Sequence, residues 1–289
     1  MQAIKVLVTG ATGYLGGYVA RELKKRDYYT VALVRNAQKL AAKSIPADQV
    51  ITTALTDKNA LADCCKGIDV VFSAVGITNQ KDGLTYMDVD YQANLNLLEA
   101  AKRSGVKQFI YVAVLHGDQL RRLKICAAKE KFVDALKSSG LHYCVIRPTG
   151  YFSDMEEFYK MAEKGRIFLF GNGQYKTNPI HGEDLATVCV NAIEGREQEI
   201  NVGGPEILTH GQIARTAFSV AGRPVKITHI PHWIRKGLLF LLRTFTSSKT
   251  YGPIEFFMTV LSMDFIAPAF GTHTLQRYFE TLKAARKGS

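Results

Sequence analysis

Long apolar runs are missing from this chain. A helix that spans a bilayer needs about 18 to 20 mostly apolar residues, and no stretch supplies them. The run at 237–242 is too short, and 254–270 is interrupted by Glu255, Asp264 and Pro268. A secretory leader is not expected, because the first apolar run passes straight into glycines rather than into a small-residue cleavage site. Cysteine is sparse and unframed. Cys64, Cys65, Cys126, Cys144 and Cys189 show neither the even count of a disulfide scaffold nor the paired spacing of a zinc site. That points to reduced thiols, a cytoplasmic location and no metal. Linkers rich in Gly/Ser or Pro are absent, as are internal repeats. Apolar residues make up 47% of the 289, enough for a full core, so disorder is expected only in 284–289.

Acidic charge is also in short supply. Lys and Arg number 37 against 26 Asp and Glu, which leaves a net charge of +11. Such an excess can serve nucleic acid, an anionic membrane surface or an anionic ligand. The basic residues fall in small scattered groups, Lys102–Arg103, Arg121–Arg122–Lys124 and Lys283–Arg286–Lys287, with no nucleic-acid module around them. Most of the charge therefore reads as solvated surface and part of it as attraction for a phosphorylated cofactor. Nucleic acid is not an expected partner.

What is present begins at Ala3. The apolar residues Ile4, Val6, Leu7 and Val8 read as a buried strand, and a turn with Gly10, Gly13 and Gly16 follows at once. A helix then starts, with Leu15, Val19 and Leu23 on one face. Strand, glycine turn and helix together present free backbone N–H groups and a positive helix end to a pyrophosphate. The segment Gly10, Thr12, Gly13, Tyr14, Leu15 and Gly16 is thus the expected phosphate-binding turn of a dinucleotide site.

Further strands are expected at 29–34, 49–53, 69–73, 106–114 and 142–147, with helices from Thr56–Asp57, over 85–103 and over 123–138. This alternation predicts an α/β fold, a doubly wound parallel (Rossmann) sheet. Beyond Pro148 the rhythm changes. Helices are expected at 154–164 and 184–193 and from Thr209, where Thr209 and Gln212 stand at capping-box spacing. Short strands are expected at 166–170 and 177–180, around the turn Gly171–Asn172–Gly173, and at 199–202 and 225–229; from His232 the chain reads as mostly helical. The expected organisation is a dinucleotide-binding core over 1–150, completed by about 180–202. Segments 151–179 and 203–289 form an interleaved, smaller and mostly helical substrate lobe.

The segments VTGATGYLGG, DVVFSAVG, DYQANLNLLEAA, VKQFIYVAV, AAKEKFVDALKSSGLHYCVIRPTGYF and NVGGPE together resemble the extended short-chain dehydrogenase/reductase superfamily. Within it the chain is similar to the atypical, NmrA-like branch, the group containing 3,8-divinyl chlorophyllide reductase. The resemblance covers nearly the whole chain and is weakest over the last sixty or so residues. It implies a nicotinamide dinucleotide with Leu55 near the adenine, Ala74, Val75 and Gly76 beside the adenine ribose and pyrophosphate, and Pro148, Thr149 and Gly150 along the nicotinamide.

The cofactor subtype follows from charge. NAD sites place a carboxylate at the end of the second strand to accept from the ribose 2′-OH. Here that position reads Leu33–Val34–Arg35–Asn36. An arginine there pairs a 2′-phosphate, which favours NADP(H), with a solvated surface arginine as the alternative.

The superfamily's usual Ser, Tyr and Lys are incomplete. Lys129 is kept in the AAK motif, where the resemblance has it hold the nicotinamide ribose, but Ile125 stands at the tyrosine position and Ala113 at the serine position. Two readings stay open: a reductase of an apolar or conjugated small molecule that uses the nicotinamide hydride without the Ser/Tyr pair, or a non-catalytic NADP(H)-binding sensor or assembly protein. Candidate proton donors are Tyr151 and His116, with a packing tyrosine and a solvated loop histidine as the plainer alternatives. Segment 232–244, HWIRKGLLFLLRT, is expected to pack within the substrate lobe. An interfacial helix on a membrane, a cavity roof and an oligomer contact are its other readings.

Overall fold

The computed structural model describes residues 3–77 and 83–287. The chain divides into two compact units. One comprises Met1–Arg147 and Leu185–Ile200; the other comprises Pro148–Asp184 and Asn201–Ser289.

The first unit is built on the parallel strands β1 (Lys5–Thr9), β2 (Tyr29–Val34), β3 (Gln49–Thr52), β4 (Val70–Ser73), β5 (Gln108–Val112) and β6 (His142–Pro148). With β9 (Glu199–Val202) they form one seven-stranded sheet in the order β3-β2-β1-β4-β5-β6-β9. Strand order reverses at β1, between β2 and β4, the crevice at which open α/β sheets take ligands. Val6, Leu7, Val8, Val71, Phe109 and Ile110 are fully buried, as strands covered on both faces require. The covering helices include α1 (Tyr14–Lys25), α2 (Ala37–Ala42), α3 (Asn94–Arg103) and α4 (Lys124–Lys137).

Three local expectations change. The helix expected from Thr56–Asp57 is only a 3-10 turn over Asn59–Leu61, with Asp57 accepting from the N–H groups of Asn59 and Ala60. The segment read as one helix over 85–103 winds as a π-helix over Met87–Ala93 before α3 begins. The six-residue α2, capped by the Asn36 side chain, was too short for periodicity to reveal.

The second unit holds α5 (Phe152–Glu163), α7 (His210–Ala221) and α10 (Leu275–Lys287) around a core of Phe152, Tyr159, Phe218, Leu275 and Phe279. The capping box of Thr209 and Gln212 closes the start of α7. The strands flanking Gly171–Asn172–Gly173 do not pair with each other. β7 (Ile167–Phe170) runs parallel to β11 (Ile227–Ile230), and β8 (Lys176–Thr177) runs antiparallel to β10 (Leu208–Thr209). The strand expected over 177–180 stops at Thr177 because Asn178 takes over as a side-chain hub. Its Nδ2 donates to the carbonyls of Gly204 (3.0 Å) and Ala267 (2.9 Å), and its Oδ1 accepts from Ala267 N–H (3.1 Å).

The expected disorder over 284–289 is corrected as far as 287, where α10 continues; residues 288 and 289 lie outside the described residues. Before α10, segment 232–289 forms the helices α8 (His232–Phe245) and α9 (Ser248–Val260); α6 (Gly182–Asn191) lies earlier in the chain. Packing of 232–244 within the lobe holds for one side of the helix only: α8 packs on α9, with Arg243 paired to Glu255 and Arg235 donating to Met258 O. Leu239 of α8 is buried, while Trp233, Ile234, Leu238, Phe240, Leu241 and Phe245 are exposed. No helix among the described residues is long and apolar enough to cross a membrane.

Candidate functional site

The turn after β1 is shaped by two glycines. Gly10 has φ +78°, a left-handed conformation, and a Cβ there would approach the Ala74 carbonyl oxygen to 3.0 Å. A Cβ on Gly16 would overlap the backbone carbonyl of Gly10, so α1 can leave the strand this closely only with glycine at that position. Gly13 donates its N–H to Gly10 O at 2.8 Å and forms the N-cap of α1.

Beside this turn, in the first unit, lies a cavity of about 390 Å³. Its walls bring together Gly10, Thr12 and Gly13 with Arg35, Leu55, and Ala74–Val75–Gly76. Two cations, Arg35 and Lys39, line it, and no carboxylate does among the described residues. Lys39 was not picked out from the sequence. It stands in the first turn of α2, where Asn36 Oδ1 accepts its backbone N–H at 2.9 Å. A cation one turn beyond the Asn36 cap was the available signal. Lys43, just beyond α2, reaches back to donate to Thr12 O at 2.7 Å and ties this segment to the glycine turn.

The remaining expected cofactor residues are placed differently. Tyr14 and the buried Leu15 open α1 without lining the cavity, and Gly16 serves helix–strand packing. The Asn36 side chain is engaged in capping α2. Pro148, Thr149, Gly150 and Tyr151 belong to the second unit. There the buried Thr149 hydroxyl donates to Asn178 O at 2.6 Å, and Tyr151 is the N-cap of α5, its N–H donated to Asp154 Oδ2 at 3.0 Å.

Lys129 stands on α4, and its Nζ lies 2.9 Å from Oδ1 of Asp90, a fully buried carboxylate on the π-wound segment. Asp90 Oδ2 accepts the N–H of Ile77 at 3.2 Å. A Cβ added to Gly76 would come within 2.5 Å of Asp90 Oδ1 and 2.6 Å of Lys129 Nζ. The ion pair therefore packs directly on the backbone of cavity residues Gly76 and Ile77. Burial pushes the Asp90 carboxyl upward, opposed by the attraction of Lys129. Beneath Lys129 lies the Tyr111 ring, 5.6 Å from Nζ to its centroid, with its phenol pushed up to about 12 by burial. Neither Asp90 nor Tyr111 was picked out from the sequence.

Ala113 and Ile125 are both buried and offer no polar side-chain atom. His116 lies in the loop after β5 with φ +53°. That loop is tied down by Arg147, which donates to Val114 O at 3.1 Å, bidentately to the buried Glu130 at 2.5 and 2.9 Å, and to Glu199 at 2.8 Å. Cys126 is buried and its thiol is pushed up to about 12, which removes the thiolate that a nucleophile needs.

One group of metal-type ligands exists among the described residues, His181, Glu183 and His273. The two imidazoles stack at 4.2 Å with 23° between their planes, and one ligand atom from each of the three residues lies within 4.8 Å of the others. His273 Nδ1 lies 2.8 Å from Asp184 Oδ1, so these residues read as a link between α6 and the segment before α10.

A glycine turn, a cavity lined by two cations and by no acid among the described residues, and a lysine at its edge are the parts of a dinucleotide site. A family model described as NAD(P)H-binding matches residues 10–196. The chain belongs to this NAD(P)H-binding family. It is of the atypical short-chain dehydrogenase/reductase type, an oxidoreductase group. It is 27% identical over 313 residues to divinyl chlorophyllide a 8-vinyl-reductase of Zea mays, covering 95% of this chain and 78% of that one. It is 23% identical over 249 residues to a photosystem II assembly factor of Synechocystis sp., covering 84% and 74%. The NADPH-dependent quinone oxidoreductase of Escherichia coli, solved with NADPH, superposes with a TM-score of 0.71 over 97% of this chain and 100% of that one. At 21% identity it shows the fold.

Proposed function

We propose that this family member is an NADP(H)-dependent reductase of a largely apolar, conjugated small molecule. The observation that carries the reading is the cavity beside Gly10, lined by Arg35 and Lys39 with no carboxylate among the described residues and edged by the Lys129–Asp90 pair. Those residues fit a phosphorylated dinucleotide. The backbone at Gly10–Gly13 holds the pyrophosphate, and Arg35 and Lys39 hold the 2′-phosphate. When bound, the dinucleotide supplies a hydride.

The chain's own residues do the rest. Asp90 holds Lys129 in place through their ion pair, ready to hold a ribose hydroxyl. Ala113 and Ile125 place buried apolar side chains at the positions where carbonyl chemistry would need an oxyanion donor and a proton relay. That substitution suits reduction of a carbon–carbon double bond or a quinone-like acceptor. His116 and Tyr151 are the proposed proton donors, and removing a true donor lowers turnover by about a hundredfold or more. The similarity to a vinyl-reductase supports an apolar, conjugated substrate.

Following NADPH absorbance against a panel of conjugated and quinone acceptors tests the reading. Acceptor-dependent oxidation that disappears in Lys129→Ala upholds it. A second reading, dinucleotide binding without turnover, is favoured by Ile125 and Ala113 and by the similarity to an assembly factor. It predicts NADPH binding with no oxidation by any acceptor.

A further inference from the structure

Helix α8 presents an apolar face to solvent. Trp233, Phe240 and Phe245 are 73%, 68% and 78% exposed, and Ile234, Leu238 and Leu241 are exposed with them. At 100° per residue these six side chains fall within an arc of about 160°. Leu239 lies on the opposite side and is buried, so the helix has an inner side that is packed and an outer side that is not. The charge of the segment is of one sign. Arg235, Lys236, Arg243 and Lys249 lie between His232 and Ile254, and no Asp or Glu does. The first acid that follows, Glu255, is buried and paired with Arg243.

We propose that α8 docks the protein on an anionic membrane surface, lying in the plane of the interface with Trp233, Phe240 and Phe245 among the acyl chains. Large aromatic and aliphatic side chains on one face, with an excess of basic residues in the same segment, is the composition that binds this interface. At 14 residues the helix is about 21 Å long, too short to cross the bilayer core. Charge selects the lipid over a second copy of the chain. Self-association through this face would bring together two segments that stay net basic even with Arg243 paired to Glu255, whereas anionic headgroups neutralise them. The proposal does not depend on whether the site in the first unit turns over a substrate.

Trp233 is the single tryptophan of the chain, so intrinsic fluorescence reports on this helix alone. Wild-type protein is titrated with vesicles of phosphatidylcholine, with and without phosphatidylglycerol. The expected result is a blue shift of the emission with the anionic vesicles, quenching by acyl-chain-brominated lipid, and weakening as salt is raised. The double variant Phe240→Ser/Phe245→Ser should partition at least about tenfold less while its circular dichroism stays unchanged. Unchanged Trp233 emission with anionic vesicles overturns the proposal. So does a lipid-free dimer by light scattering in which Trp233 is already blue-shifted, which would assign the face to a second copy. The quenching arm uses unmodified protein, so it decides the matter even if the double variant does not fold.

Discussion

Lys129 Nζ and Asp90 Oδ1 lie 2.9 Å apart, and the carboxylate has no exposure to solvent. Each partner makes the other's charge tolerable in a place where neither is tolerable alone.

Lys129→Met should therefore destabilise the chain by about 3 kcal/mol or more, because it strands a buried carboxylate. Burial already raises the folded pKa of Asp90 above its ordinary value; without the lysine only the Ile77 N–H opposes burial, and that pKa rises further. The folded state then holds a proton that the unfolded state releases. The variant is closest to wild type below about pH 4 and loses stability as pH rises above it. Adding Asp90→Asn should recover most of the loss. Urea denaturation of the two single variants and the double variant between acidic and neutral pH checks this. A double variant as unstable as the sum of the singles would mean the pair is not coupled.

Arg35 and Lys39 line the cavity, and no acid does among the described residues. If both hold a 2′-phosphate, Arg35→Ala weakens NADPH binding by about 10- to 100-fold, the worth of a charge-assisted pair. NADH, which lacks that phosphate, should bind about as before. Lys39→Ala should act in the same direction with a smaller effect. Titration calorimetry with both nucleotides measures it, and equal losses for NADH and NADPH would remove the case for phosphate selection.

The strand–turn–helix opening was legible because glycine spacing and apolar alternation are local properties, and β2 and β9 fall on the expected residues. The cavity residues Gly10, Thr12, Gly13, Arg35, Leu55, Ala74, Val75 and Gly76 came from motif and strand-end position. Asp90 was hidden because its significance is not local. It matters only once the π-winding of Met87–Ala93 turns it inward to Lys129, 39 positions later. Lys39 was hidden by the shortness of α2. The Asn178 hub was hidden because its partners, Gly204 and Ala267, are remote in sequence. The exposed face of α8 was misread as core because five successive apolar residues, 238–242, look like interior whichever side they face.

Gly16 packs against the carbonyl of Gly10 with no room for a methyl group. Gly16→Ala must push α1 away from β1, at a cost of about 1–3 kcal/mol, typical of overpacking. Because the same movement opens the turn at Gly10–Gly13, dinucleotide affinity should fall with stability. Gly67→Ala is a useful control. Its Cβ would meet nothing within 4 Å, and the strain comes only from its φ of +67°. It should lower the melting temperature without changing nucleotide affinity beyond that. Thermal melts with and without NADPH compare the two; identical ligand-induced shifts in both variants would contradict the argument.

His210 opens α7 and is 3% exposed, with Phe158 6.3 Å away between ring centroids. Burial pushes its imidazole down to about 4, against a weaker upward pull from Asp264. In the unfolded chain a histidine titrates near about 6.5. Between those two values the unfolded state binds a proton that the folded state refuses, so stability falls as pH is lowered through that window. The full span of about 2.5 units corresponds to at most about 3.4 kcal/mol. His210→Leu keeps the apolar contact and removes the titration. Its stability should therefore change less between pH 7 and pH 4.5 than that of wild type, while carboxylates and the other histidines contribute equally to both. Urea midpoints for the two proteins across that range measure the difference. Parallel pH profiles would show that His210 takes up no extra proton on unfolding and would remove it from the acid response of the second unit.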